Sequence, residues 1–308
     1  MLNSGLEGVV VAQTGLSAID GEKGELIYAG YDIDDLARNT TFEEVTYLLW
    51  NGRLPDADEL DQLNQQLVAE RALPEEILSL MQGFPRDGDA MAALRTVVSA
   101  LALHDPEAND NSDEANRRKA IKLTAKMPTI VAAFDRLRKG KAPVAPRAEL
   151  GTAANFLYML TGEDADELRV RTFDAALTLH AEHGMNASTF SARVTAATLS
   201  DLYSAITSAI GTLKGPLHGG ANADVMKMLI EIGEDAPGER VDDFVRAKLA
   251  RKEKIPGFGH RVYHTEDPRA THLRRMSKEI GEKAGNTRWF EMSQRIERLV
   301  TAEKKLYP

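Results

Sequence analysis

Apolar positions recur at three- and four-residue spacing along almost the whole chain, the periodicity of helices that bury one face. Phe42, Val45, Leu48 and Leu49 form one such stripe. Thr41 and Glu44 make a capping box at its start, and Gly52 is placed to end it. Leu60, Leu63 and Leu67 continue the spacing in a second helix, and Met91, Leu94, Val97, Val98 and Leu101 in a third. Further helices are predicted over 121–137, with a kink at Pro128, and over 149–161, 166–183, 188–210, 222–232, 239–252, 268–282 and 287–305. Only the N-terminal region reads as extended: residues 16–20 and 25–29 flank Gly21-Glu22-Lys23-Gly24, a small hairpin. Gly140–Pro146 reads as a linker. Asp105–Arg117 reads as a solvated polar loop without the ligand spacing of a calcium site. The fold class expected is all-α with a minor β-hairpin.

Composition acts mainly by exclusion. The chain has 308 residues, enough for two domains, and no repeat or low-complexity tail. Its 47 acids against 38 bases give a net charge of −9, which argues against a nucleic-acid or anionic-membrane surface. There is no cysteine, so thiolate chemistry, disulfides and Cys-ligated zinc are excluded. No apolar run reaches membrane-spanning length, and the first residues lack the pattern of a signal peptide. A cytoplasmic protein is expected.

Two glycine-flanked histidines carry the candidate chemistry. His218 sits in Lys214-Gly-Pro-Leu-His-Gly-Gly-Ala-Asn222, just before a helix that Asn222 is expected to cap. The positive end of a helix dipole disfavours imidazolium there, so a neutral ring donating one N–H to a substrate oxygen is the useful form. His260 sits in Pro256-Gly-Phe-Gly-His260, after Arg251, Lys252 and Lys254, whose charges suit a phosphate-bearing ligand or simply a solvated helix end. His218 and His260 are expected to face each other across a cleft. Asp267-Pro268-Arg269 reads as a helix start: Arg269 either forks a substrate carboxylate or pairs with Glu266 or Asp267. His180 and His183 fall three apart on a predicted helix. No third ligand is evident, so no metal site is expected, and His183 is read as a donor to an anionic substrate. No nucleophile elbow is present.

Over its whole length the chain resembles the citrate synthase family, of the compact type found in bacteria and archaea. Gly5-Leu-Glu-Gly-Val9, Gly24-Glu-Leu-Ile-Tyr28 and Phe42-Glu-Glu-Val45 are similar to its N-terminal region. His180-Ala-Glu-His183-Gly-Met-Asn186-Ala-Ser188, Gly215-Pro-Leu-His218-Gly and Pro256 through Arg269 are similar to its active-site segments. The resemblance implies a large helical domain (1–217), a small domain (218–308) hinged at His218, and a homodimer that completes each site. It implies condensation of acetyl-CoA with oxaloacetate, with no tightly bound cofactor. His218 would meet the thioester oxygen and His260 the ketone of oxaloacetate. His183 and Arg269 would hold its carboxylates, and Glu253, Lys254, Ile255, Pro256 and Gly257 would touch coenzyme A.

Two departures follow from the same resemblance. Tyr28-Ala29-Gly30 replaces a common Tyr-Arg-Gly. In the family a Tyr-Pro is followed by the Asp that removes the acetyl proton, and later by carboxylate-binding arginines. The sequence ends at Tyr307-Pro308, so a chain short of its last helices, with little turnover, is expected. Two other readings stay open: 2-methylcitrate synthase, because one methylene discriminates by only ~1–3 kcal/mol, and a non-catalytic helical module that binds an acyl-CoA or serves assembly.

Overall fold

The computed structural model describes residue 10, residues 12–259 and residues 262–308. Among them are fourteen α-helices and one antiparallel sheet of three short strands. The strands are β1 (Ser17–Asp20), β2 (Glu25–Tyr28) and β3 (Tyr31–Asp32), with Ser17 opposite Tyr28 and Asp20 opposite Glu25. The Asp20 carboxylate accepts the N–H groups of Glu22 and Lys23, and Gly24 supplies the left-handed residue (φ 71°) that closes the turn. The expected hairpin is therefore present, within a residue at each end.

The helices begin where their caps dictate. They are α1 (Ile33–Asn39), α2 (Phe42–Asn51), α3 (Ala57–Glu70), α4 (Glu75–Gln82), α5 (Ala90–Leu101), α6 (Asp113–Arg138) and α7 (Thr152–Thr161). Next come α8 (Glu167–Leu179), α9 (Ala187–Ala197), α10 (Leu202–Leu213), α11 (Ala221–Ile232), α12 (Gly238–Ala250), α13 (Pro268–Lys283) and α14 (Arg288–Lys304). The Thr41–Glu44 capping box forms in full, and Gly52 ends α2 at φ 75°. Asp267 caps α13 with Pro268 at its first position.

Three expectations are corrected. The segment 105–117 is not a solvated loop: Ser112 caps α6, which starts at Asp113 and runs unbroken through Pro128. Asp105 and Lys119 are buried. Lys119 donates to the carbonyls of Ala108 (3.1 Å) and Asp110 (2.6 Å), and Asp105 accepts from Tyr203 (2.6 Å) and Lys122 (2.9 Å). The polar loop is thus folded over these side chains. The stretch 188–210 is two helices, split because Asp201 caps a new start and Leu199 takes φ 62°. Finally, α8 ends at Leu179, four residues early, so His180 and His183 do not share a helical face. His180 is exposed, with Nδ1 2.6 Å from the Ala176 carbonyl.

Four apolar clusters hold the structure. One lies among α4, α5, α6 and α10, a second among β2, α1, α2 and α8, and a third among α2, α3 and α6. The fourth belongs to the C-terminal part and joins α11, α12 and α14 around Met228, Ile232, Val245 and Ile296. Helix α13 packs on α1 and α8 as well as on α14, tying this last cluster to the rest.

Carboxylates of one helix also cap its neighbours. Both oxygens of Asp174 on α8 lie 3.2 Å from the Phe42 N–H that opens α2, and Glu43 on α2 accepts the Thr152 N–H that opens α7 (2.7 Å). Burial pushes the Asp174 carboxyl up to about 6, against the pull of the Phe42 N–H, with Glu43 and Glu44 adding repulsion. The folded carboxyl thus holds its proton more tightly than the unfolded one, so stability falls as pH rises from about 4 to about 6 and is level above that. Asp174→Asn keeps an acceptor for Phe42 and removes this titration. Urea melts at pH 7 are expected to show the variant more stable by about 1–3 kcal/mol, with the advantage gone below pH 4. Equal stabilities at both pH values would refute the assignment.

Candidate active site

His218 occupies a tight turn after α10, fixed by its N–H to Gly215 O and by Gly219 N–H to Leu213 O, both 2.9 Å. Gly219 is required there, because a Cβ would lie 2.4 Å from that Leu213 oxygen. The expected Asn222 cap is replaced: α11 starts at Ala221 with Gly220 as its N-cap, and Asn222 lies inside the helix, its side chain accepting the Ala223 N–H (2.9 Å). The helix start that His218 meets is instead that of α9. The Ser188 N–H, in the first turn of α9, donates to His218 Nε2 at 3.3 Å, and the Ser188 hydroxyl lies 2.9 Å from the same nitrogen. A backbone N–H only donates, so Nε2 is an acceptor and this network assigns the ring proton to Nδ1. The ring is then a neutral imidazole with one N–H left to offer, held at the positive end of a helix. Asn186 fixes the geometry by accepting from Thr189 N–H (2.9 Å) and from the Ser188 hydroxyl (2.8 Å).

His183 is only five residues before Ser188, in the loop between α8 and α9. Its Nε2 lies 3.3 Å from the Tyr263 hydroxyl, and the two rings meet edge-on with centroids 5.6 Å apart. Tyr263 is buried, and burial pushes its hydroxyl up to about 12, helped by the Asp267 carboxylate. It therefore stays protonated at all ordinary pH values. Neither Ser188 nor Tyr263 stood out in the sequence, because both act through partners distant along the chain.

Arg269 is mostly buried, and its guanidinium is forked onto Asp267: Nε to Oδ1 at 2.9 Å and Nη2 to Oδ2 at 2.6 Å. The Asp267 ion pair offered by the sequence is formed, and the Glu266 pairing is taken up by Arg274 instead. Burial works against the charge, but the Asp267 carboxylate outweighs it and holds the Arg269 pKa above its ordinary value. The pairing leaves the cation aimed and permanently charged, able to meet a carboxylate beyond it. His183, Tyr263, Asp267 and Arg269 thus form one polar cluster, against which Tyr28 also lies: Arg269 and Asp267 both act on its hydroxyl, which burial raises to about 12.

Glu253 is ion-paired with Arg251 (2.5 Å) and Lys248 (3.3 Å). Ile255 is buried in the C-terminal cluster, so its backbone is what that turn can present to a ligand. Pro256 is half-buried, and Gly257 takes φ 88° against Val225 of α11. Lys252 and Lys254 are exposed. Tyr307 and Pro308 run beside this region, accepting the N–H groups of Gly259 (3.1 Å) and Asp267 (3.2 Å). His260, with Arg261, lies outside the described residues, as does Gly5–Val9.

Among the described residues no helix is long and apolar enough to cross a membrane. A family model described as the C-terminal domain of citrate synthase matches residues 5–308. The chain is 56% identical to citrate synthase 2 of Bacillus subtilis, covering 99% of this chain and 81% of that protein. It is 45% identical to a 2-methylcitrate synthase of Mycobacterium tuberculosis, covering 95% of this chain and 73% of that one. Its fold superimposes with a TM-score of 0.93 on citrate synthase of Thermoplasma acidophilum, solved as a ternary complex with carboxymethyl coenzyme A and oxaloacetate, at 30% identity and covering 100% of this chain and 81% of that one. Matched in sequence from residue 5 to residue 308 and in fold throughout, the chain belongs to the citrate synthase family.

Proposed function

We propose that the chain condenses acetyl-CoA with oxaloacetate, releasing citrate and coenzyme A. The observation that carries this reading is the Ser188 N–H on His218 Nε2, which leaves Nδ1–H as a fixed donor. Acetyl-CoA gives up its methyl proton to a carboxylate base, in the family the Asp that follows Tyr-Pro, and only if the charge that gathers on the thioester oxygen is met by a preorganised hydrogen bond, which His218 Nδ1–H supplies. The enolate carbon then attacks the ketone of oxaloacetate, the alkoxide takes a proton, and water cleaves the citryl thioester. His260 fills the role of proton donor to that alkoxide. His183 and Arg269 hold the oxaloacetate carboxylates, and residues 253–257 with Lys254 receive coenzyme A.

The same reading divides the chain near His218, with the C-terminal cluster as core of the small domain, in a cytoplasmic homodimer. Helix α9 supports the dimer: none of its residues is buried, and Val194 within it and Leu199 just after it (80% exposed) present apolar surface.

Release of coenzyme A on condensing oxaloacetate with acetyl-CoA, giving citrate, or with propionyl-CoA, giving 2-methylcitrate, tests the proposal. The expected result is a kcat/KM at least about tenfold higher for acetyl-CoA. Preference for propionyl-CoA would transfer the chain to the 2-methylcitrate reading, which the Mycobacterium tuberculosis relative keeps open. No turnover with either, together with no oxaloacetate binding by calorimetry, would favour the non-catalytic module.

A further inference from the structure

We propose that the N-terminal hairpin is a positioning element of the oxaloacetate site, holding the His183 loop and the loop that leads to Arg269 in one register. Only the ligand in this proposal rests on the function given above.

The hairpin grips the first loop at four points. Ser17 Oγ donates to Glu182 Oε1 at 2.9 Å, and the same oxygen accepts the Gly184 N–H. Tyr28 OH donates to Leu179 O and accepts the Glu182 N–H, each at 3.3 Å. Ile19 lies against Gly184, where a Cβ would be 3.6 Å from its Cδ1. His183 is thus bracketed on both sides by residues that β1 and β2 hold.

The hairpin turn seats on the second loop. Gly21 O accepts the His264 N–H at 2.9 Å. A Cβ on Gly21 would lie 1.9 Å from Val262 O, and one on Gly24 would lie 2.9 Å from Glu266 O. Backbone meets backbone here, and only glycine allows it. Tyr263, in this second loop, closes the triangle by its contact with His183. The two loops therefore touch each other and share one scaffold. One descends from α8 in the N-terminal part and the other leads into α13. Displacing the hairpin displaces His183 relative to Arg269, and a carboxylate held by both feels such a shift directly.

Gly21→Ala tests this cleanly, because Gly21 is outside the left-handed region and the added methyl acts by contact alone. Gly15→Ala is the control, with nothing within 4 Å of the new carbon. Hydrogen exchange on the full chain is expected to accelerate in Gly21→Ala in both 179–184 and 262–267, and calorimetry to show oxaloacetate binding weakened about 5–100-fold. Gly15→Ala should change neither. Ser17→Ala should weaken binding by about 3–10-fold and Ser17→Thr should restore it, a pair that serves even where Gly21→Ala does not fold. Faster exchange confined to the hairpin, with oxaloacetate affinity unchanged in Gly21→Ala and Ser17→Ala, would overturn the proposal. Should the parent chain not bind oxaloacetate, the proposed activity fails, while exchange in the two loops still decides whether the hairpin couples them.

Discussion

His218→Ala is expected to lower citrate formation about 10²–10³-fold while leaving oxaloacetate affinity within about twofold. The size follows from where the ring acts. Its Nδ1–H has little to gain from the neutral thioester and much from the enolate, so its loss falls on kcat. Ser188→Ala is the companion. It deletes the hydroxyl 2.9 Å from Nε2 but keeps the backbone N–H that fixes the tautomer, so turnover should fall by less than about tenfold. A His218→Ala variant that turns over like the parent would remove the proposed oxyanion donor. Equal damage from both substitutions would show that the hydroxyl, not the N–H, sets the ring.

Arg269→Ala should weaken oxaloacetate by about 10²–10³-fold, and it should also destabilise the fold. Removing the guanidinium strips a substrate carboxylate of its partner and takes the Arg269 fork away from the buried Asp267 carboxylate. The two losses separate in a double variant. Arg269→Ala with Asp267→Asn removes the buried charge that faced the guanidinium and keeps an oxygen to cap α13, so Tm should recover while affinity does not. Arg269→Lys keeps the charge but not the fork and should recover only part of the affinity. Recovery of binding in the double variant would mean that Arg269 serves Asp267 rather than the ligand.

The sequence was legible wherever a signal is local. Thr41 with Glu44, Asp267 with Pro268 and the Gly21–Gly24 turn are short motifs whose geometry is set within a few residues, and each stands as read. Helix ends went astray where the deciding contact is distant. Burial of Lys119 beneath 105–111, and Asp105 bonded to Tyr203, fold a segment whose polarity alone says solvent. The helix start that hydrogen-bonds His218 is that of α9, thirty residues back, and nothing local to the His218 motif announces it. For Arg269 the sequence offers two neighbouring acids, and only the turn into α13 decides between them, setting Asp267 in its fork and leaving Glu266 to Arg274.

The exchange of caps among α8, α2 and α7 carries a consequence for how the first half of the molecule comes apart. Each of α2 and α7 owes the satisfaction of its opening amide to a side chain on another helix. Neither can fray from its start without first losing a neighbour, and α8 cannot leave without exposing the end of α2. Ordinary surface helices unravel piecemeal from their tips; these three are bound to open together, as one cooperative unit.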